Sequence, residues 1–472
     1  AAGGAAFLVL AGTVDGLRQF LASGALTSVD VWPSSRRVAN AITEWPLFTL
    51  WLGDLHPHAV ALPFFISFAA IAGRFAEIGG VVVDAVLLAA LLSANPWDLP
   101  ASMLVLLAGN TAERDLKSAI SRSALTAAIA APFLLPFVLM PRPPFMGLDL
   151  WPGATTSPEA FLHFGAVLVI PAIAVGVALV RSQSKPDSSL MMAVLFPAVG
   201  LAVAILAQRP VFGLATGFVF AVLYLLPKLE GALKAGFLYC ACAAMLVALA
   251  DVVVVKDSYG TTFKRMNTIF KTWAGAWPLL VIGAALLLPL AFSTRHARLA
   301  IRWVVAAALV TSLLHPAALA YGRMRSTAPG GLDGLAWVSR DYPGDRKAID
   351  WLRANSPPSA AVAEASGGAY DDHGRIGTGS GRPTLLGWAG HEGVWRGDSA
   401  GPEIGSRQTD LKTIYTSRDA AQVSEILKRR GISYVVVGPL ERKDFGADAF
   451  PARSSFKEVF SEGGTALYEV PR

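Results

Sequence analysis

Glu44-Trp45-Pro46, then Gly53-Asp54-Leu55-His56-Pro57-His58, then an apolar run beginning at Ala59: this stretch decides how the rest of the chain is read. It places two acids and two histidines within fifteen residues, directly before an apolar segment. Ionisable groups at a membrane boundary are costly to dehydrate, so such a cluster points to a functional site. Pro57 biases His56 toward extended backbone. In extended chain Asp54, His56 and His58 share one face, whereas in a helix only Asp54 and His58, four apart, align. A polar helix cap is the plainer reading, but a cap uses one such side chain and four are present.

Composition sets the class. Of 472 residues 54% are hydrophobic and 16% charged, against about 25% charged in ordinary globular domains; mean hydropathy is +0.50. The chain reads as a multi-pass membrane protein with a soluble portion attached, residues 1–320 being mostly apolar and 321–472 mostly not. The net charge of +6 is assigned to cytoplasmic loops, where membrane proteins collect Lys and Arg, and no nucleic-acid partner is expected. Cys240 and Cys242, the only cysteines, stand two apart in an apolar run and so on different faces, which argues against a disulfide or zinc. Residues 1–12 are apolar without a basic leader and read as the tail of a membrane helix.

Apolar runs near 59–73, 79–93, 99–110, 123–140, 161–180, 190–207, 211–226, 235–255, 276–292 and 301–320 predict about ten membrane helices. The 99–110 run is short enough to be re-entrant or interfacial. With all ten crossing, one set of alternate loops holds Arg74; Arg114, Lys117 and Arg122; Arg181 and Lys185; Lys228 and Lys234; Arg295 and Arg298. The positive-inside bias places that set in the cytoplasm. The other set then faces outward: the Asp54 cluster, Asn95-Pro96-Trp97-Asp98, 141–160, 208–210, 256–275 and the C-terminal domain. One outer loop breaks the charge rule, with Lys256, Lys264, Arg265 and Lys271 against the single acid Asp257. Cations on the disfavoured side fit an anionic ligand such as a lipid phosphate; the plainer alternative is one helix fewer or more, which makes this loop cytoplasmic.

Beyond Leu332 the pattern changes to a small α/β domain. Helices are predicted over 345–354 and 419–430, strands over 361–365 and 433–437, and a hairpin from 456–460 and 466–470 around Glu462-Gly463-Gly464. The Gly-rich region 366–409 reads as loops.

Several motifs carry chemistry. Asp54 or Glu44 suits a general base that activates an acceptor hydroxyl. Asp54, His56 and His58 equally suit a divalent cation that neutralises a leaving phosphate, carboxylate favouring Mg²⁺ and the imidazoles Mn²⁺ or Zn²⁺. Asp98 before Leu99-Pro100 is a good helix N-cap, and capping is its expected main role; Trp97 suits an interfacial anchor or a sugar platform. His391-Glu392 begins like the zinc-protease pattern, but Trp395 replaces the second histidine, which rejects that class. Trp395 and Arg396 beside His391-Glu392 suit a sugar or phosphate edge and, equally, a buried polar network.

Taken together these residues resemble a known pattern. Glu44-x-Pro46, Gly53 to His58, Asn95-x-Trp97-Asp98, Arg265-Met266-Asn267-Thr268-x-Phe270-Lys271, Gly374-Arg375-Ile376, Gly387-Trp388, His391-Glu392, Trp395-Arg396, and Tyr434 through Gly438 to Glu441-Arg442 are similar to the hallmarks of the Chlor-Arch YYY family of uncharacterised membrane proteins. Pro96 stands where that family usually has Thr. Its further N-terminal helices and tyrosine-rich motif are not in this sequence, so the chain reads as an N-terminally truncated member. The family is similar in turn to GT-C glycosyltransferases, with many helices, an acidic motif in an early outer loop and an outer α/β domain. Those enzymes pass a sugar from a polyprenyl-phosphate carrier to an acceptor outside the membrane.

The resemblance implies a GT-C-like polytopic helical protein in the cell membrane with an extracytoplasmic C-terminal α/β domain. Its expected partners are the bilayer, a polyprenyl-phosphate sugar donor and an acceptor. Asp54 with Glu44 would act as base or metal-binding acid, and His56 and His58 would complete a metal (Mg²⁺ or Mn²⁺) or donor-phosphate site. Lys264, Arg265 and Lys271 would grip the lipid phosphate. Asn95, Trp97, Asp98 and Asn267 would bind substrate, while His391, Glu392, Trp395 and Arg396 would close the site from the soluble side. The alternatives are a non-catalytic binder or transporter of lipid-linked glycan and a membrane metallohydrolase.

Overall fold

Each of the ten apolar runs forms a helix in the computed structural model, which describes residues 2–53, 56–139, 147–182, 186–256, 264–293, 298–325, 331 and 333–471. They are Pro57–Ile71, Ile78–Ala94, Leu99–Glu113, Leu116–Val138, Ser157–Arg181, Pro186–Leu206, Pro210–Leu225, Gly231–Val252, Met266–Ala291 and Arg298–Arg325. In hydrocarbon a helix is the local way to satisfy every backbone N–H and C=O. Among the described residues six of them, beginning at Leu116, Ser157, Pro210, Gly231, Met266 and Arg298, are long and apolar enough to cross a membrane, while Pro57–Ile71 and Ile78–Ala94 are apolar but shorter. Six of the roughly ten expected crossings are thus supported among the described residues. A 15-residue helix such as Pro57–Ile71, at about 1.5 Å per residue, falls short of a ~30 Å hydrocarbon core.

The chain divides into two compact units, one of residues 1–140 and 145–326, the other of 141–144 and 327–472. In the first, local chemistry sets the helix ends. Thr156 and Glu159 form a capping box at the start of Ser157–Arg181, and Asp115 accepts the Ser118 N–H ahead of Leu116–Val138. Small residues let backbones close up. A Cβ on Gly283 would meet Cys240 Sγ at 2.4 Å and Gly236 O at 2.9 Å, where the 231–252 and 266–291 helices cross. A Cβ on Gly109 would stand 2.2 Å from Ala72 O and 2.8 Å from Ala72 C. Those are backbone atoms that no rotamer change can move aside. Gly109→Ala is therefore expected to cost ~1–3 kcal/mol by overpacking, read as a lower unfolding temperature of the whole chain; an unchanged temperature would contradict this crossing.

The connecting loops bond within the two sets distinguished by charge. Arg114 donates to Phe75 O at 3.1 Å and to Gly73 O, Arg122 to Ala76 O at 3.3 Å, Arg181 to Ser293 O at 2.9 Å, and Lys228 to Ser182 O at 3.3 Å. In the other set Arg209 donates to Gly153 O at 2.6 Å, and Lys264 pairs with Asp149 at 2.9 Å. There β1 (Leu148–Leu150) and β2 (Val253–Val255) form a short antiparallel ribbon.

The second unit is built on a four-stranded sheet of order β3-β4-β6-β5: Ala361–Ala363, Ile432–Val437, Thr465–Glu469 and Lys457–Glu462. β3 runs parallel to β4 and the other pairs are antiparallel. Gly463 and Gly464 turn the hairpin at φ +57° and +81°, the pair of positive angles that a two-residue turn of this type requires. The helices Pro343–Asn355 and Ala420–Arg429 fall where hydrophobic spacing places them. The 366–409 region does not: it holds Arg375–Ser380, Ala389–Arg396 and the start of Gly401–Thr416. Its glycines, read as loop punctuation, include helix ends, with Gly374 and Gly381 bracketing the first of these at φ +78° and +68°.

A polar scaffold is buried beside this sheet. Arg375 Nε donates to Asp345 at 2.8 Å, Thr465 donates to the other Asp345 oxygen at 2.6 Å, and Glu441 accepts the Ala365 and Gly438 N–H groups at 2.8 Å each. Glu364 accepts the Ile376 and Gly377 N–H groups, yet burial pushes its pKa up to about 7. An acid raised in the folded state adds stability below its unfolded pKa and loses it as pH rises through the folded value. Between roughly pH 4.5 and 7 this unit is thus expected to lose up to about 3 kcal/mol. Hydrogen exchange of the β4 amides in the full chain, corrected for intrinsic rates, reads this as falling protection, and Glu364→Gln flattens the slope. Equal slopes would contradict the assignment.

Candidate functional site

Two prolines shape the first half of the site. Pro46 opens the helix Pro46–Leu52 after extended Trp45, and Pro57 opens Pro57–Ile71 after His56 at φ −59°, ψ 143°. The backbone changes from extended to helical at Pro57, so neither uniform geometry expected from the sequence holds. The change brings the His56 and His58 rings to 5.1 Å between centroids. Asp54 lies outside the described residues.

Glu44 and His58 meet through a residue that the sequence did not single out. Thr49, 1% exposed, donates Oγ1–H to Glu44 Oε2 at 2.8 Å and lies 3.0 Å from His58 Nε2. Glu44 Oε2 is itself 3.5 Å from that nitrogen. The hydroxyl has one proton and gives it to the carboxylate, so His58 Nε2 carries its own hydrogen and donates to Thr49. That leaves His58 Nδ1 a bare acceptor, buried and without a hydrogen bond among the described residues.

Asp98 supplies the second half, and here the capping expectation is corrected. It occupies the N-cap position of Leu99–Glu113 but makes no capping hydrogen bond; its side chain is buried, 6% exposed. Burial pushes its pKa up to about 6, opposed by the neighbouring Asn95 amide and by the Lys271 ammonium. Asn95 is buried too, and its Nδ2 makes no hydrogen bond of normal geometry among the described residues. Trp97 is half-buried.

The first turns of Met266–Ala291 complete the cluster. The Phe270 ring stands edge-on to His56 at 5.4 Å and to His58 at 5.0 Å, and Lys271 Nζ lies 4.0 Å from the Phe270 centroid. Its charge is the one that acts on Asp98. A cavity of about 30 Å³, room for one water, is lined by Trp45, Thr49, His58, Asp98, Gly275 and Pro278. On the Glu44 side Arg36 lies 3.8 Å over the Trp32 ring, with its charge coupled to Glu44. Sequence reading missed Arg36, because no spacing rule ties it to residues farther along the chain.

Lys264 and Arg265 do not share Lys271's partners. Lys264 pairs with Asp149. Arg265, 1% exposed, donates to Thr155 Oγ1 at 2.5 Å, lies 3.6 Å from Asp251 and sits over the Trp151 ring at 4.9 Å. The three cations expected to grip one phosphate are therefore divided between a ribbon-side ion pair, a buried structural pair and the Asp98 cluster. Asn267 is half-buried on the same helix. Among the described residues no three His, Cys, Asp or Glu gather to hold a metal, and Asp54, the carboxylate of that expected set, lies outside them.

A second buried network escaped the sequence reading. Asp15, 1% exposed, takes Arg37 at 2.9 Å, Gln19 at 2.8 Å and Ser34 at 2.9 Å, and Ser34 lies 3.0 Å from His315 Nε2. It ties the N-terminal segment to the 298–325 helix across 281 positions of sequence, a separation no local motif reveals.

In the second unit, His391, Glu392, Trp395 and Arg396 lie on the helix Ala389–Arg396. Glu392 Oε1 accepts the Gly387 N–H at 2.9 Å, and its other oxygen is 3.3 Å from Arg396.

Comparison with known proteins adds the following. No curated protein matches the sequence. Among solved structures, the archaeal oligosaccharyltransferase AglB from Archaeoglobus fulgidus, in complex with an inhibitory peptide and a dolichol-phosphate, is similar at 13% identity and a TM-score of 0.33. The likeness covers 91% of this chain and 58% of that one, so this chain spans less than two thirds of its length. The family described as Uncharacterized membrane protein (DUF2298) matches residues 1–280, more than half of the 472 residues, and the chain belongs to that family.

Proposed function

We propose that the protein is a membrane glycosyltransferase that moves a sugar from a polyprenyl-phosphate carrier to an acceptor hydroxyl at the extracytoplasmic face. The observation that carries this reading is the convergence of Glu44, His58, Asp98 and Lys271, from three separate segments, at the edge of apolar helices. In the proposed step Asp98 takes the acceptor's hydroxyl proton as the new C1–O bond forms. The old bond from C1 to the phosphate oxygen breaks, and the carrier leaves as a phosphate anion. Lys271, with Arg36 on the Glu44 side, stabilises that charge. Glu44 and Thr49 fix the ring of His58 and its tautomer. Asp54, His56 and His58 Nδ1 would hold a divalent cation, which supplies further neutralisation of the leaving phosphate.

The test uses the full chain in lipid nanodiscs with decaprenyl-phosphate-linked sugars as donors. Transfer to an added acceptor, with free decaprenyl phosphate as co-product, is expected. Release of sugar to water alone would mark a hydrolase, and tight donor binding without release a carrier protein; either outcome overturns the proposal. A charge-assisted contact is worth roughly 1.5–3 kcal/mol, so Lys271→Met is expected to weaken decaprenyl-phosphate binding at least tenfold, roughly. Lys271→Arg restores part of the loss. Unchanged affinity in Lys271→Met would remove Lys271 from the phosphate site.

A further inference from the structure

We infer that Tyr370, Trp388, His391 and Trp395 form a carbohydrate-binding surface on the C-terminal unit, taking a pyranose ring of a neutral glycan. Tyr370 and Trp388 lie 5.4 Å apart between centroids, His391 stands near edge-on to both at 5.8 and 5.9 Å, and Trp395 follows at 6.5 Å from His391. Tyr370 is 73% exposed and Trp395 54%, so this group of neighbouring rings is open to a ligand. Tyr370 also holds a left-handed backbone, φ +67°, which a bulky residue adopts only where its surroundings enforce it. Trp388 is fixed by Nε1–H donation to His373 O at 2.9 Å.

The chemistry matches a sugar. One face of a pyranose is a sheet of C–H groups that packs against the negative face of an aromatic ring; its rim is hydroxyls that need donors and acceptors. Within the cluster those are the Tyr370 hydroxyl, the His391 imidazole and the exposed Arg396 guanidinium, which lies 3.3 Å from Glu392. A lipid surface fits less well. Asp371 and Asp444 hold His373 at 3.0 and 2.8 Å beside the rings, and Glu392 lies on the same helix. Burying those carboxylates against lipid headgroups would dehydrate them without compensation. The surface stands whether or not the first unit transfers sugar, so the two ideas fail separately.

The experiment places the full-length protein, fluorescently labelled and in nanodiscs, on an array of neutral and acidic glycans. A subset of neutral glycans is expected to retain it, and Tyr370→Asn with Trp395→Ala to weaken retention about tenfold or more, Asn being tolerant of the left-handed backbone. β4 amide protection equal to that of the parent chain shows that the double variant is folded. Retention of the parent no greater than that of the folded double variant on every glycan overturns the inference. So does strong quenching of Trp395 by brominated lipids, which would place the rings in the membrane.

Discussion

Asp98→Asn is expected to lower the rate of sugar transfer by ~10²–10⁴-fold, the range a positioned general base supplies, without unfolding the chain. The group is buried beside Asn95 and Lys271, and its pKa is pushed up to about 6. It is therefore ionised at neutral pH but basic enough to accept a proton. The sign of the pH dependence follows. kcat/KM should rise as pH passes through about 6, where the carboxylate forms, and Asp98→Asn should lose that limb. Asn95→Ala removes a group that favours the ionised form, so the limb should move to higher pH. The check is a pH–rate profile of the three proteins. Parental activity in Asp98→Asn, or a limb that stays in place in both variants, would sink the assignment.

Arg265→Met should cost ~3–5 kcal/mol of stability, the usual result of stranding one member of a buried ion pair. Asp251 and Arg265 are each 1% exposed and 3.6 Å apart, and Asp251 Oδ1 also accepts the Thr155 N–H at 2.6 Å. Removing the cation leaves a carboxylate in a dry site at the junction of the 148–150 and 253–255 ribbon. Combining Arg265→Met with Asp251→Leu should cost less than the two single changes added together, because each single change strands the other charge. Lys264→Ala, whose pair with Asp149 is more than a third exposed, should shift stability by less than about 1 kcal/mol. Unfolding of the full chain in detergent measures all four variants. Arg265→Met at parental stability, with loss confined to donor binding, would return Arg265 to the phosphate grip that its place in the sequence implies.

The contrast between Lys271 and Arg265 shows what a sequence can carry. Hydropathy is local, so the ten apolar helices were legible, and so was the polarity near their edges: His58, Asn95 and Asp98 stand where an apolar run begins or ends, and Glu44 and Lys271 precede one. Which cation meets which acid was not legible. Asp149 lies 115 residues from Lys264, and Thr155 lies 110 from Arg265. Such pairs form only when helices far apart in the chain pack together. Thr49 was missed because a hydroxyl inside an apolar helix has many bland roles. Arg375–Ser380 and Ala389–Arg396 were missed because short helices ended by glycine read like loops; for Gly401–Thr416 the buried spacing of Leu411, Ile414 and Tyr415 was a usable sign.

The most direct test of the account is photocrosslinking of the full chain in nanodiscs with a diazirine-bearing polyprenyl phosphate, followed by peptide mapping. The label should fall on the segments around Arg36–His58, Asn95–Asp98 and Phe270–Lys271, and an excess of unlabelled polyprenyl phosphate should displace it. Displaceable label confined to the other set of loops, near Arg74, Arg114–Arg122 or Lys228–Lys234, would contradict the account.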